Sequence, residues 1–246
     1  MLAKILSLRS KSIVSLVGAG GKTTFINSLA QELKCDNKVL VTTSTKMYLP
    51  KTYDFLAIGK GFNSNSKNGL YVYGDRISQD GKLSGVAKAY HDFDYVLIEA
   101  DGAKGKDIKG WDCYEPVIVK ETTMTVGIIS IEAVGKLVNK QNVHRSEKFI
   151  NLTNTRENAL ITVEDIGIII THPEGLFKKA QGEKVLFINK VEANTQVISA
   201  LKIIKFLRHN NTFFDKVIIG SLKKMQYKLI NLGDINGSSG NYGIWK

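Results

Sequence analysis

Gly18, Ala19, Gly20, Gly21, Lys22, Thr23 and Thr24 follow directly on the apolar run Ile13 to Val17. Each of these residue types suits a polyphosphate. Glycines at 18, 20 and 21 let the backbone curl so that successive N–H groups converge on one anion. A helix starting near Lys22 adds free N–H groups and the positive end of its dipole. Lys22 supplies a cation for the β- and γ-phosphates, and the Thr23 hydroxyl a ligand for Mg²⁺. A turn that merely joined strand to helix would need no Gly21-Lys22-Thr23-Thr24 at the helix start. The segment is therefore expected to hold a nucleoside triphosphate with Mg²⁺. It is a short version of the motif: the general pattern has glycine five residues before Gly21, where this chain has Leu16.

A second cluster lies at Glu99-Ala100-Asp101-Gly102, after the apolar run Tyr95 to Ile98. A buried strand beside the phosphate loop would carry these carboxylates to the C-terminal edge of a sheet, where ligands of doubly wound folds bind. One carboxylate can hold Mg²⁺ through water and the other can orient an attacking water, and the spacing leaves the assignment open. Gly102 allows its N–H close to a γ-phosphate. Lys22, Glu99 and Asp101 are thus the expected catalytic residues, and Thr23, Glu99 and Asp101 the expected metal ligands. The spacing Glu99-x-x-Gly102 resembles the switch motif of metallochaperone GTPases.

Asn189-Lys190-Val191-Glu192 follows the run Val185 to Ile188 and resembles the Asn-Lys-x-Asp segment with which GTPases read their base. There the carboxylate accepts two hydrogen bonds from guanine. Glu192 is one methylene longer, and the short phosphate loop also occurs in Mur-type ligases and some dimeric ATPases, so GTP and ATP both stay open. Thr42 to Thr45 and Lys46 end another strand with hydroxyls and a cation, as phosphate contacts or as a β-favouring run with a helix cap. Arg145, in His144-Arg145, can act as an arginine clamp on phosphate or substrate. His144 and His172 read more simply as structural histidines, and Trp111 and Tyr114 as apolar anchors, a lid or a partner surface.

The elements that must position these residues are strands alternating with helices. Ile13 to Val17, Lys38 to Thr43, Tyr95 to Glu99, Thr125 to Ser130, Val185 to Ile188 and Val217 to Ile219 read as strands. Phe55 to Ile58, Tyr71 to Tyr73 and Val117 to Val119 are shorter candidates, and Asp80-Gly81 marks a hairpin within Arg76 to Leu83. Thr23 to Leu33 and Thr195 to Arg208 read as helices, the second with Val197, Ile198, Leu201, Ile204 and Leu207 along one stripe. Residues 131–180 look mainly helical, with a helix start at Thr162 to Asp165. Gly59 to Gly69 and Gly102 to Gly110 are loop-prone. The pattern predicts one α/β domain over residues 1–228, P-loop NTPase-like, with a mostly parallel sheet flanked by helices. A loose Gly-, Asn- and Ser-rich tail is expected over 229–246.

The 246 residues carry 34 Lys and Arg against 23 Asp and Glu, a net charge of +11. The basic residues are scattered, without a stripe interleaved with aromatics, so no nucleic-acid partner is expected. Two cysteines, Cys35 and Cys113, suggest neither a disulfide framework nor a metal site and fit a reduced, cytoplasmic setting. No apolar run reaches a membrane-spanning length of about 18 residues, and Met1 to Leu8 is too short for a signal peptide.

Several phrases occur in one order: Ser15 to Thr24, Thr42 to Met47, Glu99 to Gly105, Glu115-Pro116-Val117-Ile118, Val143-His144-Arg145, and His172 to Lys178. In that order they resemble the YqeC family of selenium-dependent hydroxylase accessory proteins, over about residues 12 to 220. Lys106 and the charged stretch Asp107 to Lys109 depart from the more apolar, proline-containing loop expected there. The resemblance implies a P-loop protein that serves a molybdenum hydroxylase client by helping to make or insert its labile selenium cofactor. Three activities fit these readings: a nucleoside triphosphatase switch, a ligase or kinase activating a small substrate, and a scaffold that holds nucleotide without hydrolysing it. Neither the oligomeric state nor the client follows from the residues.

Overall fold

The computed structural model describes residues 1–60, 67–86, 90–210 and 212–230. In chain order the elements are α1 (Leu2–Leu6), β1 (Ser12–Gly18), α2 (Lys22–Leu33), β2 (Lys38–Thr43), β3 (Lys46–Tyr48), β4 (Phe55–Ile58), β5 (Gly69–Gly74), β6 (Arg76–Ile77), β7 (Lys82–Ser84), β8 (Tyr95–Glu99), β9 (Ile108–Lys109), β10 (Met124–Ser130), β11 (Val143–His144), α3 (Ser146–Thr153), α4 (Val163–Thr171), β12 (Glu183–Asn189), α5 (Asn194–His209), β13 (Lys216–Ser221) and β14 (Gln226–Ile230). A nine-stranded sheet runs in the order β14-β13-β12-β10-β1-β8-β2-β5-β4. Its pairs are parallel except β13 with β14. The architecture is α/β and P-loop NTPase-like.

Sheet order explains where the site lies. From β1 the chain builds β2, β4 and β5 to one side, with β8 between β1 and β2, and then returns to build β10, β12 and β13 on the other. The reversal opens a crevice beyond the C-terminal ends of the central strands. Both faces of the sheet are covered, as the period-two alternation of strand side chains dictates. Val14, Leu16, Val126, Ile128, Val185 and Phe187 pack with Phe25, Ile26 and Leu29 of α2 and with Leu2 and Leu6 of α1. The alternate residues Val17, Ile129, Leu186, Ile188, Val217 and Ile219 pack with α3, α4 and α5 on the opposite face.

Local differences from the sequence reading have physical causes. In α5 the core stripe is Val197, Ala200, Ile203, Ile204 and Leu207, while Ile198 is 53% exposed. A three-four spacing keeps the first set in line, and a residue one step off turns about 100° away. Residues 131–180 are less helical than expected: besides α3 and α4 they hold loops, the short strand β11 before α3 and an isolated bridge between Leu137 and Leu160. Ile166 to Ile170 belong to α4, which starts at the expected capping box of Thr162 and Asp165. Val117 to Val119 pair with no strand among the described residues; the Val117 N–H donates to the Ala100 carbonyl instead. β14 extends past the expected boundary at 228 to Ile230 and pairs with β13. The rest of the expected tail, 231–246, and residues 61–66 of the Gly59 to Gly69 loop lie outside the described residues. Among the described residues no helix is long and apolar enough to cross a membrane, and Cys35 and Cys113 are free and exposed.

Candidate functional site

The glycine-rich loop Gly18 to Thr24, the candidate phosphate loop, joins β1 to α2 at the crevice. Its close contacts require glycine. Gly18 has φ of 98°, and a Cβ there would lie 2.2 Å from the Ile128 carbonyl oxygen. Gly21, at φ 150°, would meet the Asn189 Nδ2 at 2.4 Å. The N–H groups of Gly18 and Ala19 are used internally, by Asp101 Oδ2 at 3.0 Å and the Ile128 carbonyl at 2.9 Å. The N–H groups of Gly20, Gly21, Lys22, Thr23 and Thr24 donate to no acceptor among the described residues, and α2 has no side-chain cap. Five successive free amides at the start of a twelve-residue helix form a cradle for an anion.

Beneath the loop runs a chain of alternating charges. Lys22 is 4% exposed; its Nζ lies 3.0 Å from Asp101 Oδ1 and donates to the Gly18 carbonyl at 2.5 Å. Asp101, fully buried, also accepts from Trp111 Nε1 at 3.0 Å and Lys109 Nζ at 3.2 Å. Lys109, buried in turn, donates to the Gly102 carbonyl at 2.6 Å and to Glu115 Oε2 at 2.8 Å. Glu115 is gripped by both terminal nitrogens of Arg145, which also meets Asp112. Each buried charge has a partner of opposite sign, as burial demands. Burial opposes the charge on Lys22, but Asp101 and then Glu99 hold its pKa above the usual lysine value. Burial likewise opposes the charge on Asp101, but Lys22, Lys109 and the Gly18 N–H hold it ionised, below the usual carboxylate range.

Of the two acidic residues expected at the reacting centre, Glu99 lines the crevice and Asp101 lies behind the loop. The Thr23 hydroxyl donates to Glu99 Oε2 at 3.1 Å. The same pair of hard oxygen donors suits Mg²⁺, which is usually held by one or two protein oxygens plus substrate phosphates. No group of three or more metal-ligating side chains occurs among the described residues. Burial raises the Glu99 pKa, outweighing Lys22 and the Thr23 hydrogen bond. Gly102 lines the crevice with open space on its Cα side. Thr43 spends its hydroxyl on the Glu99 carbonyl at 2.8 Å, so in this strand end it is Thr45 and Lys46 that reach the crevice.

The cavity, about 1350 Å³, continues past the loop to Asn189, Lys190, Glu192, Leu222 and Lys223 on one side and to Lys104, Tyr114, His144 and Arg145 on the other. Lys190, just past β12, ties in the Gly102 to Asp107 loop through Asp107 at 2.6 Å and the turn after β10 through Glu132 at 2.9 Å. The charged stretch that departs from the expected apolar loop thus has work in this fold: Asp107 anchors Lys190 and Lys136, and Lys109 neutralises Asp101. His172 stays outside, its Nδ1 accepting from the Glu174 N–H at 3.0 Å. Trp111 is a buried anchor and Tyr114 an exposed one, stacked on Arg145. Sequence reasoning missed Lys109 and Ser221. A lysine inside the apolar phrase Ile108-Lys109-Gly110-Trp111 was the available signal for the first.

His144 is half-buried in the crevice wall. Burial first, then the Arg145 and Lys109 cations, push its pKa from 6.5 down to about 4. Between these values the unfolded chain takes up a proton that the folded chain refuses, so stability falls as pH drops through that window. Wild type should lose about 1 kcal/mol more than His144→Gln between pH 7 and pH 5, after discounting for half-exposure. Urea unfolding at both pH values measures it, and equal losses would remove the imidazole from the account.

The model of the YqeC protein family matches residues 14–147, more than half of the chain, from β1 through the phosphate loop and Glu99 to His144 and Arg145. A protein of Escherichia coli (strain K12) named uncharacterized protein YqeC is 28% identical over 215 residues, covering 81% of this chain and 84% of its own length. No solved structure matches the chain. The glycine-rich loop, the acidic strand end and the His144-Arg145 wall thus all fall within the matched stretch, and the chain belongs to the YqeC family.

Proposed function

We propose that this protein is a Mg²⁺-dependent nucleoside triphosphatase that assists maturation of the selenium and molybdenum cofactor of a molybdenum hydroxylase. The observation that carries the nucleotide reading is the run of amides from Gly20 to Thr24, unpaired among the described residues and lining one crevice with Lys22, Thr23 and Glu99. The amides cradle the β- and γ-phosphates. Lys22 adds a cation already desolvated by the fold, and an arriving phosphate competes with Asp101 for it. Thr23 would hold Mg²⁺ directly and Glu99 through a water, and the ion when bound would neutralise charge on the phosphate oxygens. Glu99 orients the attacking water and accepts its proton as the oxygen bonds to the γ-phosphorus and the β–γ bridge breaks. Inorganic phosphate and the nucleoside diphosphate leave. Release of the phosphate returns Lys22 to Asp101 and resets the charge chain that ends at Arg145 and the exposed Tyr114, where a client can sense it. The client assignment rests on the family resemblance.

One observation favours a second reading, an ATP-dependent ligase or kinase. The cavity exceeds the roughly 300–1,000 Å³ of ordinary single-ligand sites. Lys46 and Lys104 line the half of it away from Asn189, and neither makes an ion pair among the described residues. Phosphate release from ATP and GTP, with and without a molybdenum hydroxylase, separates the readings. The switch predicts slow basal release accelerated by the client. The ligase or kinase predicts turnover only with a small acceptor. Tight binding without release under any condition would leave a nucleotide-holding scaffold and overturn both.

A further inference from the structure

The cleft end formed by β12 and β13 carries a clamp that the phosphate reading does not use. Asn189 closes β12 and reaches both ways. Its Nδ2 donates to the Gly20 carbonyl at 2.8 Å, and its Oδ1 accepts from the Leu222 N–H at 3.1 Å. One side-chain amide thus fixes the phosphate loop to the turn that follows β13. Three residues on, the Glu192 N–H is held by Gln196 Oε1 at 2.8 Å, which sets the backbone at the mouth of α5. Glu192 Oε1 then accepts from the Ser221 hydroxyl at 2.8 Å, while Ser221 Oγ accepts from the Lys224 N–H at 3.0 Å. Ser221 is 1% exposed, so its hydroxyl is committed to this geometry. The other oxygen of Glu192 accepts no hydrogen bond among the described residues and pairs with Lys224 Nζ at 3.9 Å, and Glu192 lines the same cavity as Gly20 to Thr24.

From this arrangement we propose that the end of the cleft is a guanine seat, in which Ser221 acts as a positioning residue that aims Glu192 at the base. The inference rests on the phosphate-loop reading, because the seat lies beside that loop. An ionised carboxylate only accepts hydrogen bonds, and Ser221 occupies part of one oxygen, leaving lone pairs on both. Guanine offers N1–H and N2–H₂ side by side, two donors for one carboxylate. Adenine turns an acceptor, N1, toward the same place and leaves the carboxylate unpaired. A site built to hydrogen-bond one ligand rejects an analogue lacking the donors much more strongly than an apolar pocket does. The extra methylene of Glu192, relative to an aspartate, is taken up by the Ser221 tether, which stops the longer side chain from swinging to solvent.

The test uses the full chain, Mg²⁺ and calorimetric binding of GDP, ADP, xanthosine diphosphate and inorganic tripolyphosphate. GDP should bind at least about tenfold tighter than ADP. Glu192→Gln should reduce that ratio and move preference toward xanthosine diphosphate, whose 2-oxo group accepts from the new side-chain amide. Tripolyphosphate, which has no base, should bind both proteins alike. Ser221→Ala should lower the GDP-to-ADP ratio without changing tripolyphosphate affinity, whereas a merely structural loss would weaken all ligands together and overturn the positioning role. ADP binding as tightly as GDP, or an unchanged ratio in Glu192→Gln, overturns the guanine seat while tripolyphosphate binding preserves the phosphate loop. Failure of every ligand to bind overturns both.

Discussion

Lys22→Ala is expected to weaken Mg²⁺-nucleotide binding by about 2–4 kcal/mol, the scale of losing a desolvated, charge-assisted phosphate contact. The magnitude is large because the ammonium is already out of water. It is 4% exposed and held between the Gly18 carbonyl and Asp101, so the desolvation cost is met by folding rather than by binding. The same burial creates a second effect to separate from the first. Removing Lys22 leaves Asp101 with Lys109, Trp111 Nε1 and the Gly18 N–H, a reduced but not empty set of partners. Breaking one side of a buried pair destabilises by roughly 3–5 kcal/mol when nothing else compensates; here Lys109 remains. The double variant Lys22→Ala with Asp101→Asn removes the surplus charge, and it should regain stability without regaining affinity. Calorimetric titration with a non-hydrolysable triphosphate, beside circular dichroism and urea melts, reads both effects. Unchanged affinity in a folded Lys22→Ala protein would end the phosphate-loop assignment.

The shape of the Gly18 to Thr24 loop is legible in the sequence because it is contiguous: strand, glycines, lysine and threonines occupy one unbroken stretch, and local backbone rules decide it. The same is true of the strand ending at Glu99 and of the capping box at Thr162. The distinction between Glu99 and Asp101 is not legible. Two residues apart on an extended segment, both could face one side, but the chain leaves the strand after Glu99 and turns Asp101 beneath the loop, onto Lys22, Lys109 and Trp111. Lys109 gives no sign of its burial except the apolar residues beside it, since its partners are set by β9 pairing with β11, about thirty-five residues further on. Ser221 lies 29 residues from Glu192, and only the parallel register of β12 and β13 joins them. Short-range patterns therefore carry the α/β class and the strand–glycine–helix turn at Gly18 to Thr24, while second-layer contacts depend on strand order, which alternation alone leaves undetermined. The over-reading of helix across 131–180 has the same origin: apolar residues there cover the α5 face from loops rather than from a continuous stripe.

Glu99→Gln should slow hydrolysis by about 10²-fold while changing nucleotide affinity little, the scale of losing positioned acid–base or electrostatic help. The substitution keeps the shape and leaves an oxygen able to accept from the Thr23 hydroxyl, so the contact at 3.1 Å can persist. What it removes is the negative charge and the proton-accepting capacity, at the carboxylate of the acidic pair that faces the crevice. Burial raises the pKa of Glu99 even against Lys22, which brings its basicity closer to that needed by a group receiving a proton near neutral pH. Asp101→Asn should behave differently. Its carboxylate is fully buried and bound to Lys22 and Lys109, so neutralising it frees Lys22 from its counter-ion and disturbs binding, stability and turnover together. Single-turnover phosphate release and equilibrium binding, measured on both variants, distinguish a residue acting on the reacting water from one acting through Lys22. A Glu99→Gln protein that hydrolyses like the parent, with Asp101→Asn also at parental rate, would move the reacting centre away from this strand end. A loss confined to Asp101→Asn would instead make the lysine's position, not the crevice carboxylate, the source of the rate.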